Sequence, residues 1–347
     1  MYRALSILFL SISFSFGQDY FIVNDGVKTE DYQYNVFINA NIYSGGGIIK
    51  NATLIEKEGK IFDIGENLDI PNNRSAHKYS KPKAGGIFFS VVTIFFSILN
   101  GNLQIISVIP LTIVGLIDDK KNLSASIRFL FQLLTCIALF FFNNNFFNFS
   151  DFSVLLSSLL FLFFIISGVG LINFCNFMDG IDGLLAGSML LIFIAISNSS
   201  LGNFYILIGA LGSFILFNWS PSKVFMGDIG SYFLGSIYVG TIYSTNSLQE
   251  SFALILFSFP LIADCCSCII RRFFAGQSIF GAHNLHLYQR LCRSNFSHRK
   301  ISLLYILLIG LIILSYFLGG FIFELIACGI VLSIGVILDR FQAVKFN

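Results

Sequence analysis

From Gly85 onward, the sequence consists of apolar segments that are separated by short polar loops. Several segments have about 15 residues, fewer than the roughly 20 that a bilayer-spanning helix usually needs. Short spans are accommodated by local thinning of the bilayer or by helix ends that are set in protein. The pattern predicts an all-α polytopic membrane protein with about 10 transmembrane helices. We place the segments at 85–99, 103–117, 126–142, 153–172, 184–198, 203–218, 231–244, 250–269, 301–318 and 321–338.

The composition supports a membrane location. Hydrophobic residues make up 55% of the chain and charged residues only 12%, whereas soluble domains have about 25% charged residues. The formal net charge of +2 gives no indication of a nucleic-acid partner, and we predict none. The chain has seven Cys and no CxxC pair, which favours reduced thiols that pack as small apolar groups.

The distribution of positive charge predicts the orientation in the bilayer. Alternation of the segments places one set of loops together, at 71–84, 118–125, 173–183, 219–230 and 270–300. The opposite loops lie at 100–102, 143–152, 199–202, 245–249 and 319–320. Every Lys and Arg in these ten loops belongs to the first set. Because Lys and Arg concentrate in cytoplasmic loops, the first set is predicted to face the cytoplasm.

The stretch "GLIDDKKN" places two adjacent carboxylates, Asp118 and Asp119, where an apolar segment ends. Two neighbouring acids repel each other and are costly near lipid, so they favour a partner cation. Mg²⁺ fits, because it binds carboxylate oxygens together with substrate phosphates. A solvated helix end followed by two Lys is the alternative.

The stretch "NFCNFMDGIDGLLAG" contains two Asn and two Asp at intervals of three residues: Asn173, Asn176, Asp179 and Asp182. On a helix, such residues share one face, so the pattern predicts amides and carboxylates that point into one pocket. A polar loop with Asn caps is the alternative. A calcium loop would need a denser run of acidic ligands and a closing Glu.

The stretch "NWSPSKVFMGDIGSYFLG" places Asp228 between glycines just before an apolar segment. Free backbone N–H groups at the start of the following helix would suit phosphate oxygens. Lys223 adds positive charge, and Phe225 is a candidate for stacking on a base. A plain tight turn remains an equal alternative.

The longest cytoplasmic loop contains His283 and His286, which would be neighbours on a helix. Residues 271–293 of this loop also include four Arg, and such a cationic surface suits a diphosphate or a lipid phosphate. The sequence alone disfavours a zinc site, because no further Cys or His is well placed along the chain. A positive-inside loop with incidental His is the alternative reading.

Five motifs occur in one order between residues 70 and about 340: "PNNRSAH…PKAGG", "GLIDD", "NFCNFMDGIDGL", "FMGDIGS" and "RR…HNLHLYQRL". Together they resemble the motifs of the polyprenyl-phosphate N-acetylhexosamine-1-phosphate transferases. The ending "HLYQR" replaces the usual HxH-H and is similar to the branch that initiates O-antigen and capsule units with deoxy-amino sugars.

The resemblance implies an enzyme of the bacterial inner membrane whose active site faces the cytoplasm. It would transfer a HexNAc-1-phosphate, of GlcNAc or a deoxy-amino sugar, from a UDP-sugar to undecaprenyl phosphate and release UMP. Mg²⁺ is the expected cofactor, with Mn²⁺ as an alternative ion, and a homodimer is left open. The implied catalytic residues are Asp118, Asp119, His283 and His286, and the implied metal ligands are Asp228 and Asn176. The implied substrate-binding residues are Arg74, His77, Asn173, Asp179, Asp182, Asn218, Phe225 and Arg290.

The N-terminal part departs from this family. Residues 1–17 are typical of a signal peptide. Residues 18–69 are polar and β-rich, and residues 18–66 resemble the N-terminal strip of imidazolonepropionase-like amidohydrolases without that family's metal-binding His. We expect a fused or mis-assembled segment here and a membrane-embedded transferase domain at 70–347.

A proton- or metal-coupled transporter is the alternative function. A transporter would carry acids within its spans, and Asp264 is the candidate that the sequence offers.

Overall fold

The computed structural model describes residues 35–44, 47–57, 60–65, 68–69, 81–83, 85–142, 153–199, 202–278 and 283–346. The predictions for residues 1–34, and those for Arg74 and His77, lie outside the described residues.

The N-terminal strands form two small sheets. Strands β1 (Asn35–Ser44), β2 (Gly47–Lys57) and β3 (Lys60–Gly65) make an antiparallel sheet in the order β1-β2-β3. The short strands β4 (Leu68–Asp69) and β5 (Lys81–Pro82) pair with each other. The strands predicted for this segment are therefore present in residues 35–65.

The rest of the described chain is mainly helical, and each predicted apolar segment falls mostly on helical residues, although 103–117 and 250–269 are each divided between two successive helices. A 3₁₀ helix, Leu103–Val108, precedes α2. The helices are α1 Gly85–Leu99, α2 Ile109–Lys121, α3 Ala125–Phe142, α4 Val154–Met178, α5 Leu184–Asn198, α6 Tyr205–Asn218, α7 Gly227–Tyr243, α8 Leu248–Phe257, α9 Phe259–Phe274, α10 Leu287–Arg293 and α11 His298–Phe341.

Helix α11 folds back on itself. Its backbone leaves the helical region at Gly320, with φ 69° and ψ −161°. Leu304 and Leu308 of the first half line the same groove as Val331 and Gly335 of the second half. A straight helix would separate residues 304 and 335 by roughly 45 Å at 1.5 Å per residue. The predicted segments 301–318 and 321–338 are therefore two halves of a helical hairpin.

Few of these helices are long enough to cross a bilayer alone. Within the described residues, α3, α4 and α11 meet the criteria of length and apolarity, and α8 with α9, bent by 75°, would add a fourth candidate. Helices α1, α5 and α6 have 14 or 15 residues, or about 21–23 Å at 1.5 Å per residue. The sequence predicts about ten spans, whereas only three or four candidates in the described residues meet these criteria.

Helix α7 lies at the centre of the fold and packs against α1, α2, α3 and α4. Nearly all its side chains are buried, including Tyr232, Phe233 and Tyr238. In contrast, α3, α4 and α11 expose many large apolar side chains, which suits contact with lipid. The chain is thus built around a helix whose N-terminal end begins with the motif "GDIGS".

The turn of the hairpin generates a stability prediction. The φ and ψ of Gly320 are accessible essentially to Gly alone, although a Cβ added there would meet no atom within 4 Å. We expect Gly320→Ala to cost about 1–3 kcal/mol of stability through backbone strain. Thermal unfolding of the purified protein in detergent measures the loss.

The matched control is Gly329→Ala, in the second half of α11, where a Cβ also meets no atom within 4 Å. This substitution should be neutral or stabilising by about 0.5–1 kcal/mol, because Ala favours the helix. Equal unfolding temperatures for the two variants would contradict the assignment of strain to Gly320.

Candidate active site

The end of α2 and the start of α7 meet through Asp119. Its Oδ1 accepts the backbone N–H of Asp228 at 2.8 Å, and its Oδ2 accepts that of Ile229 at 3.2 Å. Asp119 therefore caps α7, where a negative charge is favourable at the helix N-terminus. The sequence suggested that the N–H groups at this helix start would bind phosphate oxygens. Two of them donate instead to the protein's own Asp119 carboxylate, an outcome that depends on the tertiary fold.

Gly115 allows α2 to lie directly on α7. A Cβ at this position would come within 2.7 Å of backbone atoms of Asp228 and Ile229. Real Cβ atoms do not approach backbone so closely, so any side chain at residue 115 would push the helices apart. The glycine lies one turn before Asp118 and Asp119, so the close approach brings these acids to Asp228.

Asp118 is 3% exposed and is held by three donors. The backbone N–H of Leu123 donates to its Oδ1 at 2.6 Å, and Arg128 contacts its Oδ2 at 3.2 Å. The hydroxyl of Tyr232 lies 3.5 Å from Oδ2. Sequence reasoning did not assign Arg128 to the site, although a charged residue within an apolar segment was a usable signal.

Asn176 joins this cluster from the end of α4. Its Nδ2 donates to Asp228 Oδ1 at 2.6 Å and to Ser231 Oγ at 3.1 Å. The predicted pair of Asn176 and Asp228 is therefore in direct contact. The amide presents nitrogen to the carboxylate, and a half turn about its last bond would present oxygen instead.

The cluster has more negative than positive charge. Burial raises the pKa of Asp228 to about 7, and the charges of Asp119 and Asp118 contribute to this rise. Burial also raises the pKa of Asp119, although the N–H groups of its cap and the charge of Lys83 oppose this shift. Oxygen donors with unbalanced negative charge are the ligands that Mg²⁺ prefers, so the residues present fit this ion.

The two Asn and two Asp of "NFCNFMDGIDG" do not share one helix face. Helix α4 ends at Met178, Asp179 is its C-cap, and Asp182 lies in the turn that follows. Asn173 faces α3, where its amide exchanges hydrogen bonds of 2.8 and 3.2 Å with Gln132. Only Asn176 of the four has a described hydrogen bond to the carboxylate cluster.

Asp182 and Asn218 hold the loop before α7. The carboxylate of Asp182, 4% exposed, accepts the N–H and hydroxyl of Ser222 at 3.1 and 2.7 Å, and His298 Nδ1 lies 3.3 Å away. Asn218 Oδ1 accepts the N–H of Gly183 at 3.1 Å, and its Nδ2 donates to a backbone carbonyl at 2.9 Å. Phe225 is fixed through its backbone, whose N–H donates to the Pro82 carbonyl at 2.8 Å.

The two His of the long loop are neighbours, although not on one helix. Their ring centres are 4.9 Å apart, with His286 at the N-cap of α10 and His283 in the segment before it. The ring of Phe177 lies 5.9 Å from the His286 ring. Because Phe177 adjoins Asn176, the end of α4 connects the His pair to the carboxylate cluster.

Asp264 supports this loop from α9. Its carboxylate accepts the N–H groups of Leu287 and Tyr288 at 2.7 and 3.1 Å and the hydroxyl of Tyr305 at 2.7 Å. His286 Nδ1 lies 3.5 Å from Oδ1. Sequence reasoning considered Asp264 only as a transporter acid, whereas the fold uses it to cap α10.

His283 is expected to be neutral at pH 7. Burial lowers its pKa to about 4, and the charges of His286 and Arg272 contribute to this shift. A neutral imidazole can accept a proton or bind a ligand through a lone pair.

Arg290 is directed towards the C-terminal end of α11. Its guanidinium forms an ion pair with Asp339 and donates to the carbonyls of Leu285 at 3.2 Å and Val344 at 2.9 Å. Arg271 also contacts Asp339, at 2.5 Å. Arg290, which was predicted to bind substrate, is only 3% exposed. It joins the His loop to Asp339, near the C-terminal end of α11.

Comparisons with known proteins show the family of this chain. The sequence profile of "Glycosyl transferase family 4" matches residues 102–246. A probable undecaprenyl-phosphate N-acetylglucosaminyl 1-phosphate transferase of Bacillus subtilis is 31% identical over 275 residues, 71% of this chain and 75% of that protein. A phospho-N-acetylmuramoyl-pentapeptide-transferase of Staphylococcus saprophyticus is 32% identical over 248 residues, 60% of this chain and 76% of that protein.

An undecaprenyl-phosphate alpha-N-acetylglucosaminyl 1-phosphate transferase of Escherichia coli O157:H7 is 26% identical over 261 residues, 67% of this chain and 71% of that protein. These matches extend well beyond the carboxylate cluster, because the similarity to the Bacillus protein covers more than two thirds of either chain. The chain is therefore a multi-pass membrane enzyme that belongs to glycosyl transferase family 4, the polyprenyl-phosphate HexNAc-1-phosphate transferases.

Proposed function

We propose that this protein transfers a HexNAc-1-phosphate from a UDP-sugar to undecaprenyl phosphate and releases UMP. The observation that carries the proposal is the convergence of Asp118, Asp119, Asp228 and Asn176 from the ends of α2, α7 and α4. Two of the similar enzymes are named for the transfer of N-acetylglucosaminyl 1-phosphate and for undecaprenyl phosphate, which supports these substrate classes. Such a product would begin the membrane stage of cell-envelope polysaccharide synthesis, with GlcNAc or a deoxy-amino sugar as the transferred group.

The proposed reaction is a phosphoryl transfer. An oxygen of the lipid phosphate attacks the β-phosphorus of the UDP-sugar, and the bond from that phosphorus to the bridging oxygen breaks as UMP leaves. Asp119, which is only partly buried and has a raised pKa, accepts the remaining proton of the lipid phosphate. Asp118 pairs with Arg128 at 3.2 Å, and this contact holds it beside the other acids of the cluster. Catalysis of this kind rests mainly on positioning and on charge stabilisation.

Asp228 and Asn176 would hold Mg²⁺, with Mn²⁺ as an alternative ion. When bound, the ion would neutralise the diphosphate and stabilise the charge that develops on UMP. The excess of acids over bases around Asp228 supports this assignment, since the cation would relieve their mutual repulsion.

The loop that contains His283 and His286 contacts the C-terminal end of α4 through Phe177. We propose that His283 and His286 contact the diphosphate or the sugar, because Phe177 links them to the cluster. Asp179, the C-cap of α4, lies near Tyr288, whose ring stacks on His286, and would contact the nucleotide sugar. Phe225 would stack on uracil, and Arg74 and His77, outside the described residues, would bind phosphate.

Several predicted substrate residues are better supported as positioning residues. Asn173 joins α4 to α3, and Asp182 and Asn218 hold the loop before α7. Arg290 fastens the His loop to Asp339. We propose that these four act on the substrate through the elements that they hold.

We propose that the site faces the cytoplasm, since the Lys and Arg of the alternating loops lie on its side. The helices too short to cross alone would span the bilayer where it is thinned around the protein. In this arrangement all ten predicted segments cross.

The acidic residues that the structure describes within the apolar segments do not favour transport as the function. Asp264 is occupied by three donors that build the fold. Glu324 is fully buried without a hydrogen-bond partner among the described residues. One such carboxyl does not make a pathway, and a transporter would bind UDP-sugar without releasing UMP.

The decisive test is UMP release from UDP-GlcNAc with undecaprenyl phosphate and Mg²⁺. We expect turnover that stops when divalent ions are chelated, and a loss of about 10²–10³ in kcat for Asp228→Asn, the scale of one lost charge-stabilising group. Because the substitution removes one of three repelling acids, the metal-free variant should unfold no earlier than the native protein.

The control is Glu250→Gln, which removes a carboxylate from the first turn of α8. UMP release by this variant should match that of the native protein. Turnover that survives chelation, or native activity in Asp228→Asn, would refute the proposal.

The contact at Gly115 generates a second prediction. Gly115→Ala should separate Asp118 and Asp119 from Asp228, because its Cβ would meet backbone at 2.7 Å. A shift of about 1 Å in such a site costs roughly 100-fold in rate. UMP release with saturating substrates measures the effect, and circular dichroism checks that the helices persist.

Gly212→Ala in α6 is the matched control, because a Cβ there meets no atom within 4 Å. It should retain native kcat. An equal loss in both variants would mean that any added methyl group disturbs the enzyme, and the argument from α2 and α7 would fail.

The identity of the transferred sugar can be tested by comparing kcat/KM for a panel of UDP-sugars. Because "HLYQR" replaces HxH-H in the loop, we expect a UDP-N-acetyl-deoxy-amino sugar to give a higher kcat/KM than UDP-GlcNAc. Equal or lower kcat/KM for every deoxy-amino sugar would leave GlcNAc as the substrate.

A further inference from the structure

A cluster of three metal-binding side chains includes the His pair that we propose for the transferase site. Cys268 of α9, His283 and His286 each present one ligand atom, and these atoms lie within 4.8 Å of one another. Cys268 precedes His283 by 15 residues, on a different element of structure. The sequence therefore disfavoured zinc, and the fold supplies the ligand that was missing. We propose that Cys268, His283 and His286 bind one Zn²⁺-like transition metal ion.

The distances suit such an ion. Cys268 Sγ and His283 Nδ1 are 3.9 Å apart. A tetrahedral Zn²⁺, with Zn–S of about 2.3 Å and Zn–N of about 2.0–2.1 Å, holds sulfur and nitrogen roughly 3.6 Å apart. A contraction of a few tenths of an ångström at this pair, and about 1 Å at the widest pair, is within reach of side-chain rotation.

Both imidazoles are prepared for coordination. The N–H of Leu285 donates to His283 Nδ1 at 3.3 Å, so this nitrogen is unprotonated, and a metal ion would replace this long hydrogen bond at its lone pair. Asp264 Oδ1 lies 3.5 Å from Nδ1 of His286 and leaves Nε2 as the ligand. A carboxylate behind the second nitrogen of a metal-binding His is the common arrangement, because it orients the ring and raises its basicity.

The thiol of Cys268 decides which metal this cluster takes. Metal binding replaces the proton of the thiol, so the ion is held by a thiolate. Hard ions such as Mg²⁺ prefer oxygen ligands, whereas sulfur with imidazole selects ions such as Zn²⁺ and Co²⁺. The Cys268–His283–His286 cluster and the carboxylate cluster therefore differ in the metal that they take.

The inference is tested by titrating Co²⁺, as a visible stand-in for Zn²⁺, into the metal-free full chain in detergent with excess Mg²⁺. We expect about one Co²⁺ per chain, a thiolate-to-cobalt absorption band in the near ultraviolet, and loss of that band on adding Zn²⁺. The Asp228→Asn protein should bind Co²⁺ equally well, which separates this site from the proposed Mg²⁺ ligands and makes the result independent of transferase activity.

Two substitutions and one control identify the ligands. Cys268→Ser should remove the thiolate band and weaken binding at least about tenfold, and His283→Ala should weaken binding to a similar degree. His283 is only partly buried, so its variant remains informative if the buried Cys268→Ser variant does not fold. Cys266→Ser, at a partly exposed thiol two residues away, should leave band and affinity unchanged.

The outcomes are distinct. A saturable band that is lost in Cys268→Ser and kept in Cys266→Ser establishes the site. Absence of saturable binding, binding without a thiolate band, or equal loss in Cys266→Ser would overturn it.

Discussion

The cap that Asp119 forms on α7 is the contact on which the rest of the site depends. Two backbone N–H groups at the start of α7 bind a carboxylate from the end of α2. The same contact places Asp119 and Asp118 near Asp228, whose pKa is raised by burial and by the charges of these two acids. A helix cap that stabilises the fold thus also concentrates negative charge, and this charge supports the assignment of a divalent cation.

Helix α4 connects the carboxylate cluster to the His loop. Its last turn holds Asp228 through Asn176 and contacts His286 through Phe177. Beyond it, Asp264 caps α10 and sets the His loop, while Asp339 holds Arg290 at the loop's far end. Carboxylates therefore fix the elements around the site. These elements carry the side chains that we propose to contact the substrates.

Much of the site could be inferred from residue type and spacing. Asp118, Asp119, Asn176 and Asp228 are polar groups at the ends of apolar segments, and the structure brings them together. The helical-face interpretation of residues 173–182 was wrong, because α4 ends at Met178. Periodicity alone could not reveal that end, since a spacing of three is compatible with a helix or a turn.

The sequence by itself determined the α-helical membrane class, the positions of the apolar segments and the concentration of Lys and Arg in one of the two alternating sets of loops. These properties follow from composition and from short-range patterns, which do not depend on distant contacts. Only the tertiary structure decided which residues touch. Gly115 lies against α7, Arg128 pairs with Asp118, and Cys268 lies beside His283. Such contacts depend on how helices pack, and packing joins residues whose separation in the chain gives no signal.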